Sequence, residues 1–114
     1  MGGAGVAVSK PFTKYQLYYV TGNSPAKGLP QEAEIDCFTD TNVRAGIIYF
    51  YPDDIPLPAN QNTVNGIYLY FRPRRFADIM AILREEKPLY LYLYPNGAGY
   101  VGTNFEPVGE QEGV

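Results

Sequence analysis

Histidine is absent from the sequence, and cysteine occurs only once, at Cys37. Histidine is the commonest general base and a frequent metal ligand. Its absence excludes catalytic pairs of histidine with serine or cysteine and the usual zinc sites. A single cysteine cannot form a disulfide bond within the chain, which favours a reducing compartment. We therefore predict a cytoplasmic protein that is not an enzyme and has no cofactor or metal.

One catalytic class remains open. A hydrolase that uses two carboxylates needs no histidine, and the distance between two carboxylates in space cannot be read from their sequence spacing. A carboxylate-based hydrolase is therefore the exception to the prediction that the chain is not an enzyme.

Charged residues are sparse, at 18% of the chain, while hydrophobic residues make up 46%. This balance is typical of a globular domain and not of a disordered chain. The formal charge of −3 comes from Glu106, Glu110 and Glu112, because residues 1–105 carry equal numbers of basic and acidic side chains. A neutral body lacks the basic face that nucleic acids require, so nucleic acid is an unlikely partner.

The length of 114 residues is that of one domain with its own core. Residues 1–13 are predicted to be a flexible leader, residues 14–105 a single globular domain, and residues 106–114 an acidic tail. No apolar run reaches the length that a membrane-spanning helix needs, so no membrane association is expected.

Strict alternation of leucine and tyrosine over residues 89–94 is the strongest pattern in the chain. A β-strand sends successive side chains to opposite faces, so the leucines share one face and the tyrosines the other. Similar alternation occurs at 67–71 and 48–51. Together with turn residues between them, these patterns predict about six strands, at 15–20, 33–39, 43–51, 67–71, 89–94 and 99–105.

One helix is predicted over residues 74–86. Its apolar residues, Phe76, Ile79, Met80 and Leu83, have the spacing of a single helical stripe. The fold class is therefore α+β, mostly antiparallel, with the helix between the fourth and fifth strands. Because one helix cannot cover six strands, we expect the strands to curl into a partly open barrel with an OB-like order of elements; the other arrangement is a strongly twisted sheet.

The alternation also predicts a tyrosine-rich face. Its residues are Tyr49, Tyr51, Tyr68, Tyr70, Tyr90, Tyr92 and Tyr94. Each ring can bury about 150–250 Å², so the whole face is larger than the apolar patch that a soluble monomer usually exposes. The chain's own loops, a second copy or a ligand could cover it. We predict a small protein-interaction module that self-associates through this face, as a homodimer, or binds another protein.

The alternative function is a ligand-binding module. Tyrosine rings can stack on a sugar or on single-stranded nucleic acid. Arg72, Arg74 and Arg75 surround the predicted start of the helix and could bind an anionic small-molecule ligand. The competing interpretation of these arginines is a solvated cluster that pairs with nearby acids. The loop over residues 52–65 is long for a hairpin connection, and its role is left open.

Overall fold

A computed structural model describes residues 7–20 and 30–103. These residues form two β-sheets and one α-helix. The strands are β1 Val8–Phe12, β2 Lys14–Tyr19, β3 Ala33–Phe38, β4 Arg44–Phe50, β5 Gln61–Thr63, β6 Gly66–Phe71, β7 Leu89–Leu93 and β8 Gly99–Gly102. A short 3₁₀ turn at Pro73–Arg75 leads into the helix, α1, at Phe76–Glu85.

The strands divide into a small and a large sheet. The small sheet has the order β1-β7-β8, and the large sheet has the order β2-β3-β4-β6-β5. Every pairing is antiparallel except that of β4 with β6. A parallel pair needs a long return connection, and here the loop over residues 51–60 together with β5 provides it.

The predicted α+β class with mostly antiparallel strands is confirmed. The predicted number of six strands is wrong, because the described residues contain eight. Where a partly open barrel or one strongly twisted sheet was expected, the strands form two sheets and no closed barrel. The two additional strands are β5, which lies in the predicted loop, and β1, which lies in the predicted leader. The chain passes from one sheet to the other at Thr13, between β1 and β2.

Residues 8–12 form a strand where a flexible leader was expected. β1 pairs along its whole length with β7. Its inward side chains alternate with outward ones, and Phe12 is buried in the core. Pro11 fits because β1 is an edge strand, where a missing N–H breaks no ladder. Residues 1–6 of the predicted leader and the predicted acidic tail lie outside the described residues.

A single core lies between the aliphatic faces of the two sheets and α1. Leu91 of the small sheet and Ile48 and Ile67 of the large sheet are fully buried in it. The helix adds its predicted stripe, and the ring of Phe76 contacts that of Phe50 at 5.1 Å. Each such side chain stabilises the fold by about 1.5–3 kcal/mol. Among the described residues, no helix is long and apolar enough to cross a membrane.

The loop between β4 and β5 is held by its own polar groups. The Asn60 side chain accepts a hydrogen bond from the Tyr70 backbone N–H at 2.9 Å and donates one to the Gly97 carbonyl at 3.0 Å. One amide therefore ties the loop both to β6 and to the turn between β7 and β8.

Gly46 of β4 lies against the backbone of β6 and against Leu91 of the small sheet. A Cβ atom there would collide with the Ile67 carbonyl oxygen and lie 2.6 Å from Leu91 Cδ1. Only glycine fits at this position without moving the β6 backbone.

We predict that Gly46→Ala destabilises the protein by more than about 2 kcal/mol, because the added methyl group meets backbone that cannot yield. The matched control is Gly102→Ala, whose Cβ would contact only the side chain of Tyr100, at 3.3 Å, and no backbone atom. Chemical denaturation of both variants measures the difference. Equal losses of stability would contradict the close approach at Gly46.

Candidate interaction surfaces

The predicted tyrosine face is divided between the two sheets. Both sheets turn their aliphatic residues to the common core, so their tyrosines lie on outer faces that point away from each other. We call the tyrosines of the large sheet the large-sheet cluster: Tyr49, Tyr51, Tyr68 and Tyr70. We call those of the small sheet the small-sheet cluster: Tyr90, Tyr92, Tyr94 and Tyr100.

The large-sheet cluster packs around Tyr49. Its ring stacks on Tyr70 with centroids 5.0 Å apart, and it makes edge contacts with Tyr68 at 5.7 Å and Tyr51 at 6.3 Å. Burial raises the pKa of Tyr49, and the nearby Glu34 carboxyl raises it further. The pKa of Tyr51 is also raised by burial. These rings are half-buried by one another.

The small-sheet cluster contains a tyrosine that the sequence pattern did not single out. Tyr100 of β8 lies opposite Tyr92 of β7, and their rings stack at 4.4 Å. Its hydroxyl lies 3.3 Å from that of Tyr94, a hydrogen bond that raises the pKa of Tyr100 to about 12. The position of Tyr100 could have been predicted from the Asn96-Gly97 turn, because a tight hairpin brings Tyr100 beside the predicted tyrosine stripe.

Both clusters use ring faces to contact other tyrosines. A sugar or a base stacks on a free ring face, whereas Tyr49 and Tyr70 cover each other, as do Tyr92 and Tyr100. Such cross-strand aromatic pairs stabilise a sheet by about 0.2–1 kcal/mol each. Most tyrosines of the predicted face therefore pack on neighbouring tyrosines of the same sheet.

A more exposed apolar surface lies on β2, which is an edge strand of the large sheet. We call this strand, with the side on which no other described strand pairs, the β2 edge. All its side chains are exposed, among them Leu17 at 42% and Tyr19 at 68%. By contrast, their cross-strand partners Ile35 and Ala33 are buried. Edge strands usually carry proline or several charges that prevent pairing with other chains, but the β2 edge has only Lys14, at its start.

Two cavities adjoin the β2 edge at Tyr15. One, of about 270 Å³, lies between the β1–β2 corner and the end of α1, and Phe12, Leu83 and Leu89 contribute its apolar lining. The other, of about 360 Å³, is bordered by Lys14, Gln16, Phe38 and Asn42 as well as Tyr15. An extended partner needs an unpaired edge and depressions for alternate side chains, and the β2 edge offers both.

The three predicted anion-binding arginines do not converge. The Arg72 guanidinium donates hydrogen bonds to the carbonyl oxygens of Pro52 and, at 2.7 Å, of Ile55. Arg75 makes an exposed contact with Asp78 at 4.0 Å, and Arg74 is exposed. Arg72 therefore holds the loop after β4, and nothing brings the other two to a common ligand.

Comparison with protein families, curated proteins and solved structures finds no match for this chain. Within residues 7–20 and 30–103, no group of three or more cysteine, aspartate or glutamate side chains lies close enough to hold a metal ion.

We predict that Arg72→Met costs about 1–3 kcal/mol of unfolding free energy, because two partly buried carbonyl groups lose a charged donor. Arg74→Met, which removes the same group from an exposed position, is the control and should change stability by less than about 0.5 kcal/mol. Denaturant unfolding measures both. Equal stability of the two variants would show that Arg72 does not support the loop.

Proposed function

We propose that this chain is a small non-catalytic protein-interaction module that self-associates through the β2 edge. The observation that carries the proposal is one strand whose side chains are all exposed and which, among the described strands, pairs with β3 alone. Its three aromatic residues and one leucine form an apolar edge that pairing with another strand would bury.

A second copy fits this edge because the strand is self-complementary. Antiparallel pairing of β2 with itself requires a two-fold axis perpendicular to the sheet. An axis at Leu17 places Leu17 opposite Leu17 of the second copy and Tyr15 opposite Tyr19, so apolar residues face apolar residues. Gln16 then faces Tyr18, a pair that already hydrogen-bonds within one chain at 3.1 Å.

Charge supports the same register. Lys14 is the only charged residue of β2, and the axis at Leu17 puts the two lysines at opposite ends of the contact. With a rise of about 3.3 Å per residue, they lie about 20 Å apart, which is beyond the screening length of about 8 Å at physiological salt. Self-pairing therefore brings no like charges together.

The cavity beside Tyr15 gives Tyr19 of the second copy a place to pack. In this register Tyr19 arrives opposite Tyr15, on the side of the sheet where Phe12, Leu83 and Leu89 line the cavity. A tyrosine suits such a groove because its ring can be buried while its hydroxyl stays in water. The most exposed aromatic side chain described would then lie in a cavity of its partner.

We also place the protein in the cytoplasm as part of this proposal, because its single cysteine cannot form a disulfide bond within the chain. Cys37 is fully buried and unpaired, and burial raises the pKa of its thiol. A buried thiol of raised pKa is unreactive and behaves as a small hydrophobic residue.

The ligand-binding alternative receives less support, because the tyrosine rings cover one another and Arg72 is engaged by backbone carbonyl groups.

We predict that Leu17→Lys weakens self-association at least about tenfold, which corresponds to about 1.4 kcal/mol. Its control is Leu57→Lys, because Leu57 is equally exposed at 41% but lies in the loop after β4. Sedimentation over a range of concentrations gives the dissociation constants, and circular dichroism verifies that both variants fold. A wild-type protein that stays monomeric, or equal effects of the two substitutions, would refute the proposal.

A further inference from the structure

Glu34 and Asp36 form an acid pair on the outer face of the large sheet. They are two residues apart on β3, so both side chains project from the same face. Their cross-strand neighbours are Tyr18 and Gln16 on β2 and Tyr49 and Ile47 on β4. The acid pair therefore lies between the large-sheet cluster and the β2 edge.

Asp36 is buried, with only 3% of its surface exposed. Its Oδ2 atom accepts a hydrogen bond from Arg44 Nη2 at 3.1 Å. Its Oδ1 atom is also buried but receives no hydrogen bond from any donor in the described part of the chain. A buried carboxylate oxygen without a hydrogen-bond donor destabilises the fold, so a donor at Asp36 Oδ1 would be stabilising.

Glu34 is the group placed to become that donor. Its Oε1 atom accepts a hydrogen bond from Gln31 Nε2 at 2.9 Å, and its side chain leaves the same face of β3 as that of Asp36, two residues along the strand. Two ionised carboxylates can only accept hydrogen bonds. A hydrogen bond between Glu34 and Asp36 therefore requires that one of the two carries a proton.

The charged and titratable groups around the acid pair favour one proton. From β4, Arg44 supplies a single positive charge against two carboxylates, and Tyr49 adds a neutral hydroxyl. From β2, Lys14 donates to Asn42 at 2.7 Å, and Tyr18 to Gln16. Beyond β4, β6 contributes only the tyrosines Tyr68 and Tyr70 to this face. The positive charge of Arg44 balances one carboxylate, and the second carboxyl group is therefore favoured in its protonated, neutral form.

We propose that the acid pair is a proton-binding site, in which a proton held on Glu34 is donated to the unpaired Oδ1 of Asp36. The pKa of Glu34 is raised to about 7, first by burial and then by its interaction with Asp36 and the negative charge of that residue. Gln31 and Arg44 act in the opposite direction. The site therefore gains and loses its proton around neutral pH, while Asp36 stays paired with Arg44.

Proton binding makes stability depend on pH in a defined direction. The unfolded chain loses the Glu34 proton near its ordinary pKa of 4.5, whereas the folded chain keeps it to about pH 7. Between these values the folded state binds more protons, so its stability falls as pH rises and then levels off. Because Glu34 is only partly buried, solvent screening makes the effect smaller than the full shift implies.

Glu34→Gln tests the site, because an amide can donate to Asp36 Oδ1 at every pH. For the wild type, we expect the unfolding equilibrium constant to rise at least about tenfold between about pH 5 and about pH 8 relative to Glu34→Gln. Glu32→Gln is the control, since it makes the same chemical change just before β3, and it should keep the wild-type dependence. A slope that persists in Glu34→Gln would overturn the proposal.

Carbon-13 NMR of the Glu34 carboxyl group in the wild-type protein provides a test that does not depend on any variant folding. A titration midpoint above about pH 6 supports the proton-binding site. A midpoint near the ordinary value for glutamate overturns it. Neither outcome depends on whether the β2 edge self-associates.

Discussion

Burial of two aliphatic sheet faces against each other is the constraint on which the other features of this structure depend. Leu91 can pack on the large sheet only because Gly46 leaves room for it. Once the leucines and isoleucines occupy the core, the alternation of the strands sends every tyrosine of β4, β6 and β7 outward. The tyrosines then pair across strands, and the rings that formed one stripe in the sequence become two separate clusters.

The same packing leaves the β2 edge exposed. β3 and β4 are central strands of the large sheet, but within residues 7–20 and 30–103 β2 has a neighbouring strand on one side only. The helix reaches it through the ring contact of Phe76 with Tyr19 at 5.4 Å, while a cavity remains beside Tyr15. Strand pairing between two copies would cover this apolar edge strand and fill the adjoining cavity. The acid pair lies one strand away, beside Gln16 and Tyr18.

Much of the local structure could be predicted from the sequence, because alternation and helical spacing report which face of an element is apolar. The stripe of α1 and the leucine face of β7 are examples. Alternation does not reveal which sheet a strand joins. The sequence therefore could not show that Tyr90 and Tyr49 lie on different sheets. The role of Arg72 depends on carbonyl groups 17 and 20 residues away in sequence, and that of Asp36 depends on its burial and on Arg44 of the next strand. The sequence did not predict β5, because its residues are polar and show no strand pattern. It is a strand because it pairs with β6.

Cysteine cross-linking at the proposed two-fold axis tests the central claim most directly. Opposed residues of an antiparallel pair have Cα atoms about 4.5–5.5 Å apart, which suits a disulfide bond. Native Cys37 is fully buried and does not compete. Mild oxidation of Leu17→Cys should give a covalent dimer on a non-reducing gel, and Leu57→Cys should not. No dimer for Leu17→Cys, or efficient cross-linking of Tyr94→Cys in the small-sheet cluster instead, would contradict self-association through the β2 edge.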